Sequence, residues 1–524
     1  MTQTNFDAIQ KIVIVGGGTA GWMTAAALSH LLQESDCEIT LIESEQIGTV
    51  GVGEATLPHL RFFNQRLGID EPEFMKATNA TYKLGIDFAN WGQKGDSYIH
   101  PFGDYGQAVN GVPFHHYWLK AKQQGSDFPI GDYSLPVIAA SESRFDFPSQ
   151  DPNSLLSTYS FAYHIDAGMY AKYLRSYSEE RNVVRQEGLV EHVQQDPESG
   201  FISSVTLKGG LEIEGELFID CSGFRGLLIE QTLETGYEDW RHWLPCDRAV
   251  AIPCEKEEQP LPYTKATADK AGWRWRIPLQ HRTGNGHVYC SDFISDDDAL
   301  ASLQEGLDGE PFAEPNFLRF NTGRRKKMWN KNCVAIGLSG GFLEPLESTG
   351  IHLIQLGIMK LIEFFPNKQI DSAFSDEFNR VMQMEIERIK DFLILHYHAT
   401  ERDDSEFWNY VRTMSVPDEL KRKMDLFKQT GHVVKYQEGL FLEPSWIAVY
   451  LGQRVIPSRY DSRVDAFSWA DMQTKLANLR ESVQSAVASM PNHMNAIANL
   501  EDPNNDGWKN ADMSLYGTRS SNFH

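Results

Sequence analysis

Four consecutive apolar residues, Ile12 to Val15, stand near the head of the chain as a strand buried on both faces requires. An Ala- and Leu-rich stretch from Thr19 onward reads as a helix, and "CEITLIES" then predicts a second strand ending at Glu43. Similar runs return much later. "LEIEGELFIDCSGFRG", residues 211–226, predicts a hairpin strand and then a strand ending at Asp220. "NCVAIGLSGGFLEPLESTG", residues 332–350, predicts a strand, a Gly-rich turn and a helix start. Residues 159–182 read as a helix, 184 to about 222 as strands with turns, and β-type segments between about 240 and 300, including "GWRWRIPL" and "GHVYCSDFI", as a further sheet. Beyond Gly350 the spacing is mainly helical; "SDEFNRVMQMEIERIKDFLILHYHA" is the clearest case, with Ser375 as its expected cap. The last thirty residues, rich in Asn, Asp and Ser, predict a loosely held tail.

Between the first strand and helix, Gly16, Gly18 and Gly21 form GxGxxG. This spacing permits a tight turn, close backbone approach to a diphosphate and tight helix packing, with the helix start at Thr19 and Ala20 facing the anion. Glu43, twenty-two residues beyond Gly21, is placed to accept hydrogen bonds from ribose hydroxyls. The separated returns of the chain suit FAD in an interleaved domain better than NAD in a compact one. No second GxGxxG follows a strand, so the reducing equivalents are expected from outside. The fold class expected is α/β, an FAD-binding Rossmann-type domain of the flavin monooxygenase kind with an interleaved β-sheet, residues 1–360, and a mainly helical C-terminal substrate module, residues 361–524.

A chain of 524 residues exceeds one ordinary core, which also favours packed modules. The formal charge of −24 disfavours nucleic acid and anionic lipid as partners. Six cysteines without CxxC spacing argue against a zinc ribbon or disulfide scaffold and for a reducing compartment, with the cytoplasm as the default. No leader pattern and no membrane-length apolar run is present. His115 with His116, and His396 with His398, lack the i,i+4 spacing of helical metal ligands and read as structural, so no metal is expected. The basic run Arg324 to Lys327 reads as a solvated turn.

Five stretches together resemble the flavin-dependent tryptophan halogenases: "GGGTAGW" (16–22), "GVGEAT" (51–56), "NATYKLGIDFANW" (79–91), "GWRWRIP" (272–278) and "GFLEPLESTGI" (341–351). The WxWxIP element separates that family from other flavin monooxygenases. The resemblance implies that reduced FAD, delivered by a separate flavin reductase, reacts with oxygen to a hydroperoxide. Bound chloride or bromide attacks it, and the resulting hypohalous acid crosses a tunnel to an electron-rich aromatic held in a second pocket.

The family roles fall on particular residues. Lys83 is the lysine that holds or is halogenated by the oxidant, although a surface lysine is the plain reading of its position. Glu347 is the carboxylate near the lysine and ring, a general base whose place at a helix start also suits the macrodipole. Thr349 and Gly350 match the halide site; Gly53, Glu54, Ala55, Thr56, Gly337 and Leu338 join the glycines around FAD. Trp273 and Trp275 share one strand face, where flavin shielding and core packing both fit. His100 and Phe102 match the pair flanking an indole, with Trp446 as a third wall. The adjacent tyrosine pair that clamps free tryptophan is missing, which points to indole, another small aromatic, or a larger tryptophan-containing molecule. A flavin hydroxylase and a flavin-binding protein without turnover are the competing readings, and a homodimer is the default assembly.

Overall fold

The computed structural model describes residues 7–46, 53–436, 439–502 and 506–517. Gly51 and Val52 of the second resembling stretch, and residues 503–505 and 518–524 of the expected tail, lie outside them.

The strand Lys11–Val15 sits in the middle of a six-stranded sheet, pairing in parallel with Glu38–Glu43 on one side and Leu217–Asp220 on the other. Its apolar run is continuous because both of its faces are covered. Cys333–Ala335 extends the sheet beyond Leu217–Asp220, and Val184–Glu187 extends it beyond Glu38–Glu43. The two late returns thus lie side by side next to the first strand. Helix Thr19–Leu31 packs against helices Ala167–Glu179 and Thr349–Glu363. Gly21 allows its approach to the turn: a Cβ there would stand 1.8 Å from the Gly16 carbonyl oxygen.

A second, seven-stranded sheet carries Gly272–Pro278 near its centre, between Thr264–Asp269 and Thr283–Tyr289. Trp275 pairs with Gly286, where an added Cβ would fall 2.0 Å from the indole, so that ring lies flat across the neighbouring strand. A small sheet of Gly53–Ala55, Ala162–Asp166 and Thr81–Lys83 joins the two layers and fixes the position of Lys83. Helix Glu443–Gly452 covers the strand Ser97–Pro101, and a single apolar cluster runs from Ile9 to Ala511. Among the described residues no helix is long and apolar enough to cross a membrane.

Four expectations are corrected. Residues 159–182 are not one helix: Ala162–Asp166 is a strand, because it pairs on both edges, and helix Ala167–Glu179 starts where the Asp166 carboxylate accepts the Met169 N–H. The long helix is Ser372–His398, capped by Asp371 rather than by Ser375. Arg324 and Arg325 are buried in the strand Gly323–Arg325; Glu238 at 3.0 Å, and Glu230 at 2.7 Å, supply the counter-charges that make their burial tolerable. Residues 506–517 are docked rather than loose: Arg61 donates to the Asp512 carbonyl at 3.1 Å, and the buried Tyr516 hydroxyl donates to the Leu440 carbonyl.

Candidate active site

A cavity of about 440 Å³ opens where the parallel strands end, within the range of cofactor sites. Gly16, Gly18, Thr19, Ala20, Glu43, Gly53, Glu54, Ala55, Gly337, Leu338 and Gly350 line it, and Trp273 and Trp275 form part of its sheet-side wall. Gly16 has φ +118°, and a Cβ there would lie 2.2 Å from the Cys221 carbonyl oxygen. Gly18 faces open space, with nothing within 4 Å of where a Cβ would stand. No side chain caps the helix that follows, so its first N–H groups remain free for a diphosphate. Glu43 closes the strand end as expected, but Arg185 and Arg175 hold its carboxylate and the Trp22 indole donates to it at 3.3 Å. Burial pushes the Glu54 carboxyl up to about 7. The cradle fits FAD. Gly21 serves helix packing behind it, and Thr56 faces away: its hydroxyl donates to the Tyr163 carbonyl.

Glu347 and Ser348 form part of the cavity wall, and Lys83 lies directly behind them. Its Nζ is fully buried and donates to Ser348 Oγ at 2.9 Å and to the Thr56 carbonyl at 3.0 Å, with the Phe102 ring centroid 5.2 Å away. Two acceptors leave one position on the nitrogen for a ligand. Burial lowers Lys83 to about 7, against the opposing pull of the Glu347 charge. A neutral amine is therefore accessible near neutrality.

Glu347 is 1% exposed. It has φ +64° and Ser348 has φ +59°, two successive left-handed residues whose strain, roughly 1–3 kcal/mol each, aims the carboxylate inward. His100 Nδ1 lies 2.9 Å from both carboxylate oxygens, and His396 Nε2 donates to Oε1 at 2.8 Å. Burial alone would raise this carboxyl; the two imidazoles outweigh it and hold it at about 2. The other nitrogen of His396 faces the Phe392 carbonyl at 2.8 Å, which fixes the ring's orientation toward Glu347. His396, read from sequence as structural, is thus a neighbour of the central carboxylate. Helix Ser372–His398 brings it there from a distance of 49 residues along the chain.

Phe102 stays beside Lys83, and His100 faces Phe392 and Phe441 with centroids 5.9 and 6.2 Å away. Trp446 is set further back. Its indole meets Phe392 at 5.2 Å and Lys423 Nζ at 5.3 Å, while Phe441 is the ring beside His100. Ser348 and Phe441, like His396, carry no local sequence signal. Thr349 starts the helix Thr349–Glu363, again without a side-chain cap; Gly350 reaches the cavity, while Thr349 Oγ1 is buried without a partner. Among the described residues one group, His116, His432 and Asp461, brings possible metal ligands within 4.8 Å of one another. Arg463 already grips Asp461, and the Asp461 N–H donates to His116 Nδ1, which puts the ring proton on the other nitrogen and leaves no lone pair free.

Fold and cavity define an FAD-binding oxidoreductase with a buried cluster of Lys83, Glu347, His100 and His396 at the cofactor wall. The sequence profile described as tryptophan halogenase matches residues 11–469. Tryptophan 6-halogenase SttH of Streptomyces toxytricini is 36% identical over 519 residues, covering 93% of this chain and 98% of that protein. BrvH, a flavin-dependent halogenase from Brevundimonas sp. BAL3, superposes with a TM-score of 0.91 at 46% identity, covering 94% of this chain and 99% of that one. Xcc4156, a flavin-dependent halogenase from Xanthomonas campestris, gives 0.90 at 47% identity over 94% and 98%. The chain belongs to the tryptophan halogenase family.

Proposed function

We propose that this enzyme, a flavin-dependent halogenase, halogenates indole or a similar electron-rich aromatic, with Lys83 and Glu347 carrying the chemistry on the arene side. Reduced FAD from a separate reductase supplies, with oxygen, the two-electron oxidation of bromide or chloride to hypohalous acid. The observation that carries the residue assignment is the burial of Lys83 and Glu347 together at the cofactor wall, Glu347 in it and Lys83 directly behind, held by Ser348. The uncapped helix start at Thr349 and Gly350 suits a halide in a protein otherwise strongly acidic.

The remaining position on Lys83 Nζ donates to the oxygen of the hypohalous acid, which withdraws density from the halogen and sharpens it as an electrophile. His100 and Phe102, with Phe441, hold the flat ring. Attack by a ring carbon creates a cation. Glu347, kept ionised by its two imidazoles, stabilises that cation by its charge. A carboxylate at about 2 is a weak base, yet the proton on the substituted carbon of such a cation is far more acidic, so transfer to Glu347 restores the aromatic ring. Phe102 and the strand-borne tryptophans separate the ring from the cofactor and discourage direct oxygen insertion. Without a tyrosine pair to clamp an amino-acid head group, the chamber favours indole over free tryptophan.

The test combines purified protein, flavin reductase, FAD, NADH, oxygen, bromide and indole, with mass spectrometry of the product. The bromine isotope pair is expected in the wild type and its loss in Lys83→Ala, with FAD still bound. An oxygenated product formed without halide would overturn the halogenase reading; unchanged bromination in Lys83→Ala would remove the lysine from it.

A further inference from the structure

Trp273 and Trp275 line the cofactor cavity, and the contact between aromatic rings continues inward from them. The Trp275 and Trp273 centroids are 6.2 Å apart, Trp273 and Trp91 6.5 Å, and Trp91 and Tyr397 5.4 Å. All four rings are buried, Trp91 and Tyr397 completely. The Tyr397 hydroxyl donates to Glu344 Oε2 at 2.9 Å, while Glu344 Oε1 is buried with no partner. The Trp273 indole N–H is also buried and directed at the same carboxyl, as is the Cys246 thiol, without closing a well-formed hydrogen bond. Apolar packing alone does not call for such a group. An unsatisfied buried carboxyl oxygen is destabilising, and a neutral, shape-matched side chain would avoid that penalty.

A further indole, Trp408, lies beside the path, 6.2 Å from Tyr397 as well as 5.7 Å from Trp91. The Arg402 guanidinium, however, lies 4.5 Å over the Trp408 ring. A fixed cation there opposes a second positive charge on that indole. Tyr397 instead stands beside a group able to take its proton.

We propose that Trp275, Trp273, Trp91 and Tyr397 form an electron-transfer chain that moves one-electron oxidation away from the cofactor cavity, with Glu344 as the proton acceptor at its end. The inference rests on the reading of the cavity as a flavin site. A one-electron oxidant in the cavity, an oxygen- or halogen-centred radical in turnover, takes an electron from Trp275. Trp273 refills Trp275, Trp91 refills Trp273, and Tyr397 refills Trp91. Tyr397 loses its electron and its phenolic proton together; the proton moves to the ionised Glu344 carboxylate, leaving a neutral tyrosyl radical and a protonated Glu344. The chain protects the cavity wall when an oxidant forms without an arene to consume it.

Protein loaded with oxidised FAD, whose retention is read from its absorbance, is excited by a blue-light flash in mildly alkaline buffer; the excited flavin is the one-electron oxidant. Transient absorption and freeze-quench electron paramagnetic resonance follow the radicals. The wild type is expected to show a tryptophan radical that decays into a neutral tyrosyl radical. Tyr397→Phe, which keeps the ring and its packing, should lose the tyrosyl signal and lengthen the life of the tryptophan radical. Glu344→Gln should do the same with the phenol still present, and Trp91→Phe should confine the radical to Trp273 and Trp275. A tyrosyl signal unchanged in Tyr397→Phe or Glu344→Gln, or no protein radical in wild type with flavin bound, would overturn the chain. Failure to retain FAD at all would instead remove the flavin reading, and this inference with it.

Discussion

Glu344 and Glu347 are three residues apart, both inside the protein, and their surroundings drive them in opposite directions. Around Glu347 two imidazoles face the carboxylate, a lysine stands nearby, and the group is held at about 2. Around Glu344 there is a phenol, a thiol and an indole, no cation, and burial lifts the carboxyl to about 7. The left-handed turn at Glu347 separates the two, sending one side chain to His100 and His396 and the other to Tyr397. Depth of burial is the same; the neighbours decide whether the site is a permanent charge or a proton acceptor.

Removing the charge breaks the comparison most severely. Glu347→Gln is expected to lower kcat/KM for indole bromination by roughly 10²–10⁴, the usual reach of a lost acid–base group, with FAD binding unchanged. Product quantification under excess reductase checks it. Lys83→Met should act on stability instead, in the favourable direction, while abolishing turnover. The folded-state Lys83 lies near 7 and the unfolded one near 10.5, so between those values only the unfolded chain binds the extra proton, and wild-type stability rises with pH. The advantage of Lys83→Met is therefore greatest below pH 7 and shrinks above it. It amounts to roughly 2–4 kcal/mol once two lost hydrogen bonds are discounted, readable from urea midpoints across pH.

His396→Asn sharpens the contrast by removing one of the two groups that hold Glu347 down. About 1.5–3 kcal/mol of charge-assisted hydrogen bonding is lost, a ten- to hundredfold fall in kcat. The Glu347 carboxyl should also rise toward its ordinary range, so the acid limb of the pH–rate profile moves to higher pH. A purely structural role for His396 would lower activity without moving that limb.

How much of this was legible in the sequence varies with the range of the interaction. The sheet around Ile12 to Val15 was readable because an uninterrupted apolar run and three glycines are local signals, and the late strand runs repeat the pattern. Lys83 became meaningful through resemblance; its neighbours in "TYKLGIDF" show only that burying it would be costly. His396 was passed over because its partner lies 49 residues away and depends on the phase of a 27-residue helix. Arg324 and Arg325 were placed in solvent for the same reason: their carboxylates come from other elements, and charge runs are mostly exposed. Phe441 was passed over because its place beside His100 is set by its stacking on Phe392, a contact between distant parts of the chain.

The smallest expected effect tests the origin of the contrast itself. Glu344→Gln preserves shape and an acceptor for Tyr397 and should change stability by under about 1 kcal/mol at mildly acidic pH, where the native carboxyl is already neutral. The wild-type group has a folded value near 7 and an unfolded value near 4.5, so between them the folded protein holds a proton that the unfolded chain has released. Its contribution is complete below the lower value and is lost as pH rises through the upper one. Glu344→Gln should therefore gain on wild type as pH climbs from about 4.5 past 7. Glu347→Gln should show the reverse, losing ground as pH rises through the range where an unfolded glutamate ionises and the folded one is already charged. Thermal unfolding must therefore show Glu347→Gln losing ground on wild type between about pH 2 and 4.5 and Glu344→Gln gaining on it between about 4.5 and 7; a gain for both variants would mean that burial alone, rather than the histidine pair, sets both carboxyls.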